Sequence, residues 1–216
     1  MTDTKTPGRF LTIEGIEGVG KTTQIARLSR HLTERGIDHL VTREPGGTPL
    51  AEKIRDLVLC PRDETLPAEA ELLLMFAARA VHLANHIEPA LHAGRWVICD
   101  RFTDATYAYQ GAGRGISQAD IQQLETLVQG ARRPDLTLLL DAPVDVGLER
   151  SRQRDAGGLR DRFDLERTEF FQRVREAYLS RARAEPQRFA IIDAGASMDE
   201  VTTRIATVLE SRSWTS

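Results

Sequence analysis

The segment Arg9-Phe10-Leu11-Thr12-Ile13-Glu14 runs straight into Gly15-Ile16-Glu17-Gly18-Val19-Gly20-Lys21-Thr22, which fits G-x-x-x-x-G-K-[ST] in full. An apolar strand hands over there to a helical pattern at 23–35, and that context separates the motif from a chance glycine-rich turn. Glycines let the backbone curl until successive N–H groups point inward, and the following helix adds the positive end of its dipole, so the loop is built to hold phosphate. Gly15, Ile16, Glu17, Gly18, Val19 and Gly20 form the cradle. Lys21 is placed to bridge the outer phosphates and the Thr22 hydroxyl to ligate Mg²⁺.

Apolar runs at 10–13, 39–42, 96–99, 136–140 and 189–192 alternate with longer amphipathic stretches. Continuously apolar strands separated by helical segments predict a mainly parallel five-stranded sheet with helices on both faces, an α/β fold of the P-loop class. At 216 residues the chain suits a single domain over 1–216. Ser117 ahead of Asp120, and Ser197 ahead of Glu200, have the spacing of helix N-terminal capping pairs. The longest helical pattern covers 67–92, with Pro89 expected to bend or end it, and the short polar tail from Ser211 is expected to fray.

Composition works by exclusion. A formal charge of −3 gives no global attraction to nucleic acid or to an anionic membrane. No apolar run approaches the roughly 20 residues of a membrane span, and residues 1–8 lack the apolar stretch of a secretion leader, so the expected compartment is the cytoplasm. Cys60 and Cys99 do not make a disulfide framework and read as structural thiols. His82 and His86 stand four apart, but no carboxylate or thiol joins them at metal-site spacing.

A phosphate loop alone does not separate a kinase from a nucleotide switch, so the second substrate decides. The strand Trp96-Val97-Ile98-Cys99 ends in Asp100-Arg101-Phe102, and ligands gather at the carboxyl ends of parallel strands. Asp100 could hold Mg²⁺ or its waters and Arg101 a phosphate through its planar fork; the plainer alternative is a surface ion pair. Thr42-Arg43-Glu44-Pro45-Gly46-Gly47-Thr48 closes the second strand with a turn beside the phosphate loop, which suits an acceptor site. Met75, Phe76 and Arg79 fall within one helical turn, the combination that stacks on and hydrogen-bonds a nucleobase, or else a stripe of core. Arg150, Arg152, Arg154, Arg160 and Arg162 flank Gly157-Gly158, which matches either a solvated face or a lid at about 150–162 closing over a triphosphate.

These segments, with Phe76-Ala77-Ala78-Arg79, Tyr109-Gln110-Gly111, Gly113-Arg114-Gly115 and Arg133-Pro134-Asp135-Leu136-Thr137, resemble bacterial thymidylate kinase in order and spacing, from Phe10 to the last helix. The resemblance implies the nucleoside monophosphate kinase fold, ATP and dTMP as substrates with Mg²⁺, and a homodimer, for which the apolar-rich helix 67–92 is the candidate interface. It places Glu17 near the sugar 3′-hydroxyl, Arg55 and Arg101 on the dTMP phosphate, Arg79 on the thymine carbonyl edge, Thr106 and Gln110 along the base, and Tyr109 beside the sugar 2′ carbon. Family members commonly carry Phe four residues before the base-reading Arg; here that position is Met75 with Phe76 one step on, and either can face the base. The variable phosphate-loop positions contain no Arg or Lys, as in the branch that keeps its catalytic arginines in the lid, which points to Arg154 and Arg160. The alternatives are a kinase for another monophosphate, a deoxynucleoside kinase using Glu14 as base, or a nucleotide switch; the last would need a guanine-reading Asn-Lys-x-Asp segment, which the chain lacks.

Overall fold

The computed structural model describes residues 8–154, 162–163, 166–212 and 214, with Arg154 described through its backbone only. Its elements follow the order β1 (Phe10–Glu14), α1 (Lys21–Glu34), β2 (His39–Arg43), α2 (Pro49–Leu59), α3 (Ala68–His82), α4 (Glu88–His92), β3 (Trp96–Asp100), α5 (Thr103–Thr106), α6 (Gln118–Gln129), β4 (Leu136–Asp141), α7 (Val144–Arg154), α8 (Thr168–Ala184), β5 (Phe189–Asp193) and α9 (Met198–Ser211). The strands form one sheet in the order β2-β3-β1-β4-β5, parallel at every pairing. The central strand β1 is buried at all five residues, Thr12 and Glu14 included, as a strand covered on both faces requires. On one face Leu11 and Ile13 meet Leu28 and Leu32 of α1 and Ile205 of α9; on the other Phe10 meets Leu83, Ile87, Leu91 and Phe102. Thr12 is fully buried on the second face, and its hydroxyl is satisfied by that of Thr137 at 2.9 Å.

Register brings the functional loops together. Asp100 stands opposite Ile13 on one side and Arg43 on the other. The Glu44 N–H donates to the Asp100 carbonyl at 2.9 Å, and the Arg101 N–H donates to the Ile13 carbonyl at 3.0 Å. The segments that leave β1, β2 and β3 are therefore bonded to one another at the carboxyl edge, where open α/β sheets bind ligands.

Of the two outcomes expected at Pro89, the helix is interrupted rather than ended: residues Leu83–Ile87 widen into a π turn, with the Glu88 N–H reaching back to Leu83, and the helix resumes with Pro89 in its first turn. The wider turn falls directly before the residue whose missing N–H interrupts the helical ladder. The polar tail does not begin at Ser211, which still belongs to α9. Beyond it the Trp214 ring meets Trp96 edge-on at 6.0 Å, with the Arg9 and Arg212 guanidinium groups over it at 4.8 and 5.6 Å. Both predicted caps are present, and Ser197 with Glu200 closes a complete capping box. Replacing Trp214 by Ala is expected to lower stability by about 1 kcal/mol, or roughly 2–4 °C in the melting temperature, and an unchanged thermal melt would show that the tail adds nothing.

Candidate active site

The carboxyl edge holds a cavity of about 870 Å³ that reaches from the phosphate loop to the turns after β2 and β3. Gly18 has φ +73°, and a Cβ there would come within 1.8 Å of the Gly147 carbonyl, so the loop is pressed against α7 where only glycine fits. Gly20, at φ +90°, turns the chain into α1. Lys21 at the start of that helix donates to the Gly15 and Ile16 carbonyls at 3.0 and 2.8 Å, and Thr22 lines the same cavity. Burial, and then the neighbouring Arg101 guanidinium, push the Lys21 ammonium down to about 8. A phosphate beside it would reverse that shift by Coulomb attraction.

Beside Lys21 stands Arg101, the one non-glycine residue with positive φ among the described residues, at +68°. Its guanidinium donates to the Gly15 carbonyl at 2.8 Å, to the Tyr178 hydroxyl at 3.3 Å and to Glu17 Oε1 at 2.8 Å, and lies 4.8 Å from the centre of the Tyr109 ring. The Tyr109 hydroxyl donates to both Glu17 oxygens at 2.8 Å. Asp100 lines the cavity, and its Oδ1 is buried without a partner among the described residues. Arg55 also lines it and donates to the Pro45 carbonyl at 2.9 Å; the Glu44–Pro45 peptide of that turn is cis.

Sequence left open which of two side chains on α3 faces the cavity. Met75 lines it, whereas Phe76 packs away from it with Leu72, Tyr107 and Ile121. Arg79 and Thr106 lie buried beside the cavity: Arg79 Nε donates to Glu44 Oε2 at 2.7 Å and Nη2 to the Thr106 hydroxyl at 2.9 Å. Arg79 Nη1 and Gln110 Oε1 are buried without partners among the described residues. His82 is no metal ligand paired with His86: its ring bridges Glu44 at 3.0 Å and Thr42 at 2.7 Å, while His86 bonds the Gly47 carbonyl at 2.5 Å. No group of three His, Cys, Asp or Glu residues suited to a metal occurs among the described residues.

Of the arginine-rich segment, Arg150 lines the cavity and donates to the Ala194 carbonyl at 2.9 Å, Arg152 is exposed, and Arg162 turns inward onto Glu71. Arg160 and the Arg154 side chain lie outside the described residues. Several residues the sequence did not single out complete the site. Tyr178 of α8 caps Glu14 and Arg101, Gly147 abuts the phosphate loop, and Met198 closes the cavity beside Gly20. Glu71 braces Gln110 at 2.7 Å. Only Glu71 left a trace in sequence, since it shares a helical face with Met75, Arg79 and His82.

A phosphate loop on the central strand of a parallel sheet, with an arginine from the neighbouring strand's end bonded to it and lining the same cavity, defines a P-loop kinase of the nucleoside monophosphate type. The thymidylate kinase family model matches residues 13–205, and the chain belongs to that family. It is 57% identical over 212 residues to a thymidylate kinase of Chromohalobacter salexigens, covering 97% of this chain and 99% of the relative. It is 56% identical over 202 residues to one of Pseudomonas fluorescens, covering 94% and 95%. The crystal structure of thymidylate kinase from Ehrlichia chaffeensis superposes with a TM-score of 0.74 at 34% identity, covering 95% of this chain and 99% of that one. No helix among the described residues is long and apolar enough to cross a membrane.

Beneath the site Glu14 is fully buried, accepting from the Phe102 N–H and the Tyr178 hydroxyl at 2.7 Å each. Burial first, and the Asp104 carboxylate second, push its pKa up to about 8. A carboxyl whose pKa is raised by folding stabilises most below its ordinary value of 4.5, and that contribution is lost as pH climbs toward 8. The Glu14→Gln variant keeps the shape without the charge, so it should gain on the wild type between about pH 5 and about pH 8.5 in denaturant melts. A difference that stays flat or moves the other way would mean that Glu14 is ionised throughout.

Proposed function

We propose that the protein transfers the γ-phosphoryl group of ATP to the 5′-phosphate of dTMP, giving dTDP and ADP, with Mg²⁺ beside the donor phosphates. The observation that carries this reading is that Lys21 and Arg101 face one cavity from adjacent strands, so two phosphate groups can meet there. The acceptor phosphate is already a nucleophile, which leaves the protein the tasks of aligning two anions, screening their repulsion and excluding water. Glu14, the base a 5′-hydroxyl acceptor would require, is instead buried under Phe102 and Tyr178. Lys21 and the loop N–H groups hold the donor; Arg55 and Arg101 hold the acceptor phosphate. The partnerless Asp100 Oδ1 and the Thr22 hydroxyl are hard oxygen donors suited to Mg²⁺, which would neutralise charge on the donor oxygens when bound.

The base pocket is read in the same way. Arg79 Nη1 offers a donor and Gln110 Oε1 an acceptor, the complement of the C4 carbonyl and N3–H of thymine. Met75 supplies the apolar surface, and Glu17 and Tyr109, already bonded to each other, border the sugar. Arg154 and Arg160 would bring charge to the transferring group from the lid at 150–162. The chain would act as one domain over 1–216 in the cytoplasm and assemble as a homodimer, supported by exposed leucines on α2, α3 and α6: Leu57, Leu73 and Leu127.

Steady-state transfer against a panel of monophosphates tests the reading, with dTMP expected to be the best acceptor and slow hydrolysis without acceptor dependence expected of a switch. Lys21→Ala should remove on the order of 3 kcal/mol of transition-state stabilisation, roughly a hundredfold in turnover; a folded variant with normal turnover would end the donor assignment. Arg154→Ala and Arg160→Ala should lower kcat far more than they raise the KM for dTMP, because a contact made only in the transition state appears in turnover. If both variants keep kcat within about twofold, the segment is a solvated face of little energetic weight.

A further inference from the structure

Glu71 lies on α3 with no exposed surface, one turn before Met75 and two before Arg79, and it does not line the cavity. Its Oε1 accepts from the Gln110 side-chain NH₂ at 2.7 Å. Arg114 Nε stands 3.4 Å from Oε2, and Arg162 donates to the same oxygen. The carboxylate thus gathers three donors, and a carboxylate flanked by two guanidinium groups can only accept.

That asymmetry fixes something a glutamine cannot fix for itself. The two ends of a side-chain amide are nearly the same size, so packing does not choose between them and hydrogen-bond partners do. With its NH₂ on Glu71, Gln110 has its carbonyl oxygen left over, buried at the cavity wall and partnerless among the described residues. The reverse orientation would set a carbonyl oxygen against a carboxylate oxygen. We propose that Glu71 is a positioning residue for base selection: by holding the Gln110 amide in one orientation it makes position 110 an acceptor, and so favours pyrimidines that carry N3–H and a C4 carbonyl over those with an unprotonated N3 and a C4 amino group. The inference rests on the base-pocket reading above and extends it to a residue that touches no substrate.

Replacing Glu71 by Gln leaves a neighbour that can either donate or accept, so Gln110 can turn over. The ratio of kcat/KM for dTMP over dCMP is expected to narrow by about tenfold or more, chiefly through a higher KM for dTMP, with the KM for ATP unchanged. A merely structural role would lower both acceptors together and leave the ratio intact, which would overturn the proposal. Gln110→Met has no amide to orient, so adding Glu71→Gln to it should narrow the ratio no further; a second, additive narrowing would also overturn the proposal. If Glu71→Gln melts below the assay temperature, Glu71→Asp keeps the charge facing Arg114 and Arg162 while drawing back from Gln110, and the same narrowing is expected. A wild type that accepts both monophosphates equally would instead remove the base-pocket reading itself, whereas an intact wild-type preference that survives in Glu71→Gln removes only the role of Glu71.

Discussion

The site depends on one guanidinium. Arg101 is held in left-handed backbone geometry by the Ile13 carbonyl, and its fork is spread over the Gly15 carbonyl, Glu17 and the Tyr178 hydroxyl. A non-glycine residue at positive φ is strained by about 1–3 kcal/mol, and such strain persists only where the surroundings over-determine it. Here they do, since the phosphate loop supplies two oxygens and α8 a third to the same side chain, while β1 holds its backbone N–H. The consequence is mechanical: the phosphate loop and Arg101 cannot move apart without breaking those bonds, so under the proposed roles the distance for phosphoryl transfer would be set by the ground-state fold.

Burying that charge is unfavourable unless it is paired, and the polar layer below the site supplies the pairing. Glu17 answers Arg101 from the loop, while Glu14 and Tyr178 stand beneath it. One level deeper, Asp104 takes Arg181 at 2.7 Å and Arg188 at 2.6 Å, a doubly paired carboxylate held below the ordinary range despite the opposing effect of its burial. These groups occupy the face of β1 opposite Leu11 and Ile13, which explains why a strand that reads as uniformly apolar can carry Thr12 and Glu14. One face of the sheet is apolar throughout, and the other combines the Phe10 cluster with a buried ionic layer beneath the site.

The sheet was legible because continuous apolar runs and a phosphate loop leave few topologies, and the strand limits agree within a residue. The cavity-lining residues were legible where they fall in short contiguous segments at strand ends, as Asp100-Arg101 and Glu44-Pro45 do. What stayed hidden were the braces. Tyr178 lies in an ordinary amphipathic helix, and its hydroxyl meets Glu14 across 164 positions, a contact no local pattern encodes. Gly147 sits in a helix, where its reason for being glycine is a loop more than a hundred positions earlier. Met75 and Phe76 could not be separated by spacing, because both fall within the arc that a helix can bury; packing of Phe76 against Tyr107 and Ile121 made the choice.

A common device runs through one end of the cavity. Three of the polar groups proposed for substrate are each oriented by a carboxylate from a different element: Glu44 of the β2 turn holds Arg79, Glu17 of the phosphate loop holds Tyr109, and Glu71 of α3 holds Gln110. A carboxylate suits this task because it has no donor of its own and so leaves its partner one orientation. Glu44 is itself oriented by His82, which Thr42 holds in turn, so the arrangement is anchored in β2 and α3 rather than in flexible loops. Groups fixed before binding lose little entropy when a ligand arrives, and a wrong base would leave them buried and unpaired. In the proposed base pocket, discrimination would come less from attraction to the right base than from the rigidity with which its donors and acceptors refuse to adapt to a wrong one.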